Sequence, residues 1–310
     1  MTSAASGTLE PLSGADFLDI AQLDTEQLSA ILDLAAAMKA GRWTGAPLAG
    51  RSLALVFQKP SMRTRVSFQV GIERLGGRVV PLTDQDIGLG RRESVADVAR
   101  VLDRYVDGIV ARLFSHQVLV ELAAASARPV INALTDGSHP CQILADLLTI
   151  REAVGRLDEG THVAFVGDGN NVARSLMEAS ALLGFPLTVI TPPSFEPATD
   201  GIDGSARVRV TADVAAVAGA DVVYTDVWTS MGQEAETEAR QVHFAEYQVN
   251  EALMELAPRA FFMHCLPAHR DEEVTAGVID GPRSIVFDQA ENRLWAQMAL
   301  MALIFEKGDR

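Results

Sequence analysis

Apolar, β-branched runs of four to six residues recur along the chain, each separated from the next by a segment with helical periodicity. The runs are Ser52–Phe57, Arg78–Thr83, Gly108–Leu113, Pro129–Leu134, His162–Val166, Leu187–Thr191, Asp221–Asp226, Ala260–Cys265 and Ser284–Phe287. Between them lie patterns such as Phe68, Ile72 and Leu75, spaced by four and three so that they share one helix face, with Gly76-Gly77 as the stop. This alternation restricts the chain to the α/β class with parallel sheets. At 310 residues the length suits about two domains. The helix expected from Pro140 runs out at Gly155–Gly160, before a new strand, so the chain divides into residues 1–150 and 151–289. A final helix over 290–310 is apolar around much of its circumference, through Leu294, Trp295, Met298, Leu300, Met301, Ile304 and Phe305, and should be buried across both parts.

The formal net charge of -15 argues against a nucleic-acid binder, which needs a basic surface. No apolar run approaches the roughly 18–20 residues that cross a bilayer. The first residues lack the basic start and apolar stretch of an export signal, so a cytoplasmic location is expected. The basic residues are nearly all arginine; the lysines are Lys39, Lys59 and Lys307. In an acidic protein, arginine clusters mark places where a planar fork meets phosphate or carboxylate. Two cysteines, Cys141 and Cys265, leave open a reactive thiol rather than a disulfide framework.

Open parallel sheets bind ligands beyond the carboxyl ends of their strands. Polar groups gather at six such ends. Ser61-Met62-Arg63-Thr64-Arg65 follows the first run and leads into a helix. Unpaired backbone N–H groups at a helix start, two hydroxyls and an arginine fork suit a phosphate, although Ser61 as a simple cap explains part of the pattern. Arg112 closes a strand, and His139 and Gln142 share a face of a helix's first turn; together the three can polarise a carbonyl oxygen. Gly167-Asp168-Gly169 lacks the third glycine and the later acidic residue of a dinucleotide fingerprint, and reads as a tight strand–helix turn, with Asn171 placed to hold a carboxylate. Cys265 follows a strand near Asp226: it is either a buried, inert thiol or an exposed, functional one. The spacing of His264, His269 and the cysteines matches no structural zinc pattern, so no metal and no cofactor are expected.

Taken in order, Ser-Met-Arg-Thr-Arg, His-Pro-Cys-Gln, Asp-Val-Trp-Thr-Ser-Met-Gly-Gln-Glu and His-Cys-Leu-Pro-Ala-His-Arg closely resemble the motifs of ornithine carbamoyltransferases, over nearly all of Phe17 to Phe305. The resemblance implies a carbamoyl-phosphate domain followed by an ornithine domain, with a cleft between them and the last helix returning to the first domain. It implies carbamoyl transfer from carbamoyl phosphate to L-ornithine, in a homotrimer or an assembly of trimers. Ser61, Met62, Arg63 and Thr64 would hold the phosphate, and Arg112, His139 and Gln142 the carbamoyl end, with Arg293, Cys265 and Leu266 completing that site. Asn171, Asp226, Ser230 and Met231 would bind ornithine, and Arg112, His139, Asp226 and Cys265 would carry the chemistry. The alternatives are a related amine acceptor (putrescine, acetylornithine or aspartate) and a weakly active binding paralogue. The latter draws on Gly88, which stands where relatives commonly carry a side chain that reaches carbamoyl phosphate in a neighbouring subunit.

Overall fold

The structure, a computed structural model, describes residues 12–202, 207–229 and 234–306. Strands β1 (Ser52–Phe57), β2 (Arg78–Thr83), β3 (Gly108–Arg112) and β4 (Val130–Leu134) form one sheet in the order β2-β1-β3-β4. Strands β5 (Val163–Val166), β6 (Leu187–Ile190), β7 (Val208–Thr211), β8 (Val222–Thr225) and β9 (Phe261–His264) form a second, in the order β7-β6-β5-β8-β9. Every pairing is parallel. The helices are α1 (Thr25–Lys39), α2 (Met62–Arg74), α3 (Asp84–Ile87), α4 (Val95–Leu102), α5 (His116–Ala125), α6 (Pro140–Val154), α7 (Asn171–Leu183), α8 (Thr237–Phe244), α9 (Glu251–Leu256), α10 (Ala276–Ile279) and α11 (Val286–Ile304).

The central strands β3, β5 and β8 are buried at every position, as expected of parallel strands covered on both faces. Phe68, Ile72 and Leu75 are all fully buried, as their spacing requires. Each sheet reverses its order once, between β1 and β3 and between β5 and β8, and at those points adjacent connections leave in opposite directions and open a crevice. Helix α6 starts with Pro140 and ends at Gly155 in the left-handed region (φ 82°), matching the favoured proline start and glycine stop. It is buried over nearly its whole length, with α1, α7, α11 and β4 packed around it, so it forms the spine between the two sheets.

Two expectations are corrected, and a third is extended. Ser284–Phe287 is not a strand: Ser284 makes a single bridge to Phe262, and Val286 already opens α11, which therefore begins before residue 290. A four-residue apolar run fits a strand or a helical turn equally well. A strand that none of the apolar runs marks, β7, lies at the edge of the second sheet, and its Val-Arg-Val-Thr stretch is half exposed, so its apolar signal is weak. Finally, α11 does not bury an apolar surface alone. It packs on α6, α1 and α2 as a returning helix should, but Gln289, Asn292, Arg293 and Gln297 are buried with it. Asn292 donates to Thr149 Oγ1 (2.9 Å) and Glu152 (2.8 Å) of α6.

Candidate active site

A cleft of about 770 Å³ lies where the carboxyl ends of the two sheets face each other. Its first wall starts at the end of β1. Ser61 caps α2, with its hydroxyl accepting from the Thr64 N–H, and the first-turn N–H groups of α2 are left without intrahelical partners. Thr64 Oγ1 is the meeting point. It lies 3.0 Å from the Ser61 hydroxyl, 3.3 Å from Arg112 Nη1 and 3.2 Å from Arg293 Nη2. Arg112 is the last residue of β3, and Arg293 comes from α11, held by Gln142 Oε1 at 2.5 Å. Burial pushes the Arg112 guanidinium down to about 10, and the Arg293 and Arg63 charges push in the same direction. Two guanidiniums are thus buried side by side, and neither pairs directly with a carboxylate among the described residues. His139, at the start of α6, is held well below its ordinary value by burial and by the two arginines, so its ring is neutral. Its Nδ1 and Arg112 Nε are buried without a partner in the described protein, and buried polar atoms normally have one.

The opposite wall is acidic. Asp226 sits just past β8; its Oδ1 accepts from the Cys265 thiol (2.9 Å) and the Val227 N–H (2.8 Å), its Oδ2 from Asn170 Nδ2 (2.8 Å). Asn170 also caps α7, while Asn171 beside it donates to the Thr135 carbonyl (2.5 Å). Burial and the Asp226 charge push the Cys265 thiol well above its ordinary value, so it is a neutral donor. Burial raises Asp168 to about 6 against the pull of Arg240, which pairs with it at 2.5 Å and donates to the Trp228 carbonyl at 2.6 Å.

Ser61, Met62, Arg63, Thr64, Arg112, His139, Asn171, Asp226, Cys265, Leu266 and Arg293 all line the cleft. Gln142 does not: it stands behind Arg293 as its support. Ser230 and Met231 lie outside the described residues. Sequence reasoning missed Asp168, Asn170 and Arg240 as lining residues. Asn170 was reachable, since it follows a strand end and is a good cap; nothing in the spacing around Arg240, mid-helix in α8, points to the cleft. Cys265 matches neither option outright: it is half-buried, yet it lines the cleft and donates to Asp226. Cys141 is fully buried, donates to the Asn132 carbonyl (3.2 Å) and is pushed up to about 12, which makes it structural.

Two glycines have geometric reasons. A Cβ on Gly169 would lie 2.3 Å from Pro197 N, because the 195–197 segment packs directly onto the turn. Gly88 ends α3 at φ 60°, and a Cβ there would meet Arg92 Cβ at 2.8 Å. Its neighbours Arg91 and Arg92 are engaged inside the same loop, with Asp84 and with the Asp86 carbonyl. His264, Asp226 and Cys265 offer three ligand atoms within 4.8 Å, as do His269, Glu272 and Glu273. Both ring nitrogens of His264 are already committed, Nδ1 to the Leu266 N–H and Nε2 to Glu273.

A cationic wall with a helix start, facing a wall that can hold an amine, defines a two-substrate group-transfer enzyme for an anionic donor. Comparison with known proteins narrows the class. The family model described as aspartate/ornithine carbamoyltransferase, carbamoyl-P binding domain, matches residues 15–152, and its Asp/Orn binding domain counterpart matches 159–304. The chain belongs to the aspartate/ornithine carbamoyltransferase family. It is 52% identical to the ornithine carbamoyltransferase of Thermococcus kodakarensis, covering 94% of this chain and 97% of that one. It is 50% identical to that of Anoxybacillus flavithermus, covering 94% and 96%. The solved ornithine carbamoyltransferase from Pyrococcus furiosus superposes with a TM-score of 0.92 at 47% identity, covering 97% of this chain and 100% of that one.

Proposed function

We propose that the cleft transfers the carbamoyl group of carbamoyl phosphate to the side-chain amine of L-ornithine, giving L-citrulline and phosphate. The observation that carries this reading is the pair of buried guanidiniums, Arg112 and Arg293, converging on Thr64 at the start of α2 opposite the Asp226–Cys265 pair. Two like charges held together in a site largely removed from water call for an anion between them. The phosphate of the donor sits at the α2 start, against Ser61, the Met62 N–H, Arg63 and Thr64. The carbamoyl oxygen faces Arg112, His139 and the Thr64 hydroxyl.

Ornithine's side-chain amine has an ordinary pKa near 10.4, so at pH 7 only about one molecule in 2,500 presents it neutral, a handicap of roughly 4.6 kcal/mol. Neither group beside it is a ready base: the Asp226 carboxylate already accepts three hydrogen bonds, and the Cys265 thiol is protonated. In this reading Asp226, Cys265 and Asn171 select and orient the acceptor, and the amine enters neutral. Its nitrogen bonds to the carbamoyl carbon, and charge growing on the oxygen is met by Arg112 and neutral His139, an oxyanion-hole role. The C–O bond to phosphate then breaks, and the proton lost from nitrogen leaves with the phosphate as the hydrogen phosphate dianion. Holding two small substrates in line supplies much of the rate gain.

The homotrimer expected from the resemblance, or an assembly of trimers, remains part of this proposal, as does a cytoplasmic location. Support for the assembly comes from the resemblance, since exposed apolar side chains lie on both halves, Val101 and Tyr105 on the first and Val242 and Leu256 on the second. Citrulline formation from carbamoyl phosphate and ornithine, with putrescine, acetylornithine and aspartate as competing acceptors, tests the reaction. Light scattering on the eluting protein tests the trimer. A protein that carbamoylates one of the other acceptors in preference to ornithine breaks the acceptor assignment.

A further inference from the structure

Behind the cleft, on the inner face of α6, lies a carboxylate that the reaction does not touch. Asp146 is fully buried. Its Oδ1 accepts from Gln142 Nε2 and from Gln289 Nε2, each at 2.7 Å, and its Oδ2 accepts from Tyr224 Oη at 2.8 Å. These three donors come from α6, α11 and β8, so one side chain joins the spine, the returning helix and the second sheet.

Each branch ends at the reacting groups. Gln142, fixed by Asp146 through its amide nitrogen, uses its oxygen to hold Arg293 (2.5 Å). Gln289 uses its oxygen to accept from the His264 N–H (2.9 Å), the residue before Cys265. Tyr224 lies on β8 two residues before Asp226, its ring packed edge-on against Phe165 at 5.5 Å. Burial raises the Asp146 carboxyl to about 6, while the three donors and the Arg293 charge pull it back; both of its oxygens act as acceptors, the pattern of a carboxylate. A fully buried carboxylate is a poor source of stability, since a well-packed apolar residue often serves as well or better.

We propose that Asp146 is a positioning residue that sets the geometry between the donor wall and the acceptor wall, acting on Arg293 through Gln142 and on Asp226 and Cys265 through Tyr224 and Gln289. The role rests on the carbamoyl-transfer reading of the cleft. It predicts a loss in turnover larger than any loss in binding, because misalignment harms the transition state more than either bound substrate.

The test is steady-state kinetics on the full-length protein, varying each substrate. Folded Asp146→Asn should lose roughly a hundredfold in kcat, with much smaller changes in either KM, as expected for displacement of a reacting group by about an ångström. Tyr224→Phe removes one donor without crowding the core, and should lower kcat about tenfold, the scale of a hydrogen bond to a charged group. The double variant should be no slower than Asp146→Asn alone, because the Tyr224 hydroxyl acts only through Asp146, whose loss already breaks that branch. If Asp146→Asn does not fold, the loss in Tyr224→Phe decides. Variants that melt at lower temperature yet keep wild-type kcat and KM, or losses that multiply independently in the double variant, overturn the role and leave the reaction standing. A wild type that makes no citrulline overturns the reaction, and the role with it.

Discussion

The two walls of the cleft do opposite electrostatic work and are assembled differently. The first-sheet wall is cationic, and its core is a contiguous stretch at one helix start, Ser61 to Thr64, joined by Arg112 at the end of the adjacent strand. The second-sheet wall is acidic and discontinuous: Asp168 follows β5, Asp226 follows β8 and Cys265 follows β9, while Arg240 arrives from α8. The difference follows from what each must recognise. A phosphate is a compact multiple acceptor, satisfied by the adjacent N–H groups of a single helix end. An amino acid presents separated groups of opposite charge, so its binding groups must come from several strand ends.

That contrast can be broken or sharpened by experiment. The largest effect is expected at Arg112: Arg112→Ala should lower kcat/KM for carbamoyl phosphate by roughly a hundredfold or more, as for loss of an oxyanion-hole donor. A near-normal value would show that the cationic wall does not act on the donor. Asp226→Asn should raise the KM for ornithine by about tenfold or more while changing carbamoyl phosphate affinity little, because it removes a charged partner from the acidic wall alone. Equal damage to both substrates would mean the walls are not separable. Cys265→Ala should weaken ornithine use by less, about three- to tenfold, since the thiol acts as a neutral donor to Asp226.

The smallest effect concerns pH. Burial and two arginines hold His139 neutral in the fold, whereas the unfolded chain binds a proton at the ordinary value of 6.5. Below that pH the unfolded state carries the extra proton, so this residue costs the fold stability as pH falls through 6.5. The drop in melting temperature between pH 7.5 and 5.5 (both about one unit from that value) should be smaller in His139→Asn than in the wild type. An equal drop would mean the imidazole becomes protonated inside the cleft.

Much of the fold and of the cationic wall could be read from the linear sequence, because helix starts, caps and buried parallel strands have local signatures. Ser61 to Thr64, His139, Asp226 and Cys265 follow strand ends and Arg112 closes one, and the parallel sheet turns that rule into a common location. The failures share a cause. Gln142 lies three residues from His139, yet it faces Arg293 rather than the cleft, since orientation depends on what packs against the helix. Likewise, the polar stripe of α11 is invisible in the sequence, because Gln289 and Asn292 bond to groups far away in the chain: Asp146, Thr149 and Glu152 of α6, Lys39 of α1 and the His264 N–H. Arg240 carries no local mark at all, and β7 is a weakly apolar edge.

The sequence by itself determined the alternation of strand and helix, the two parallel sheets and the anion-binding helix start, because periodicity and capping act over a few residues. Tertiary structure alone decided which polar groups share the cleft, which thiol is a neutral donor, and that Asp146 ties the two walls together. Burial, charge proximity and hydrogen-bond direction arise only when distant segments meet, and those three quantities set the chemistry.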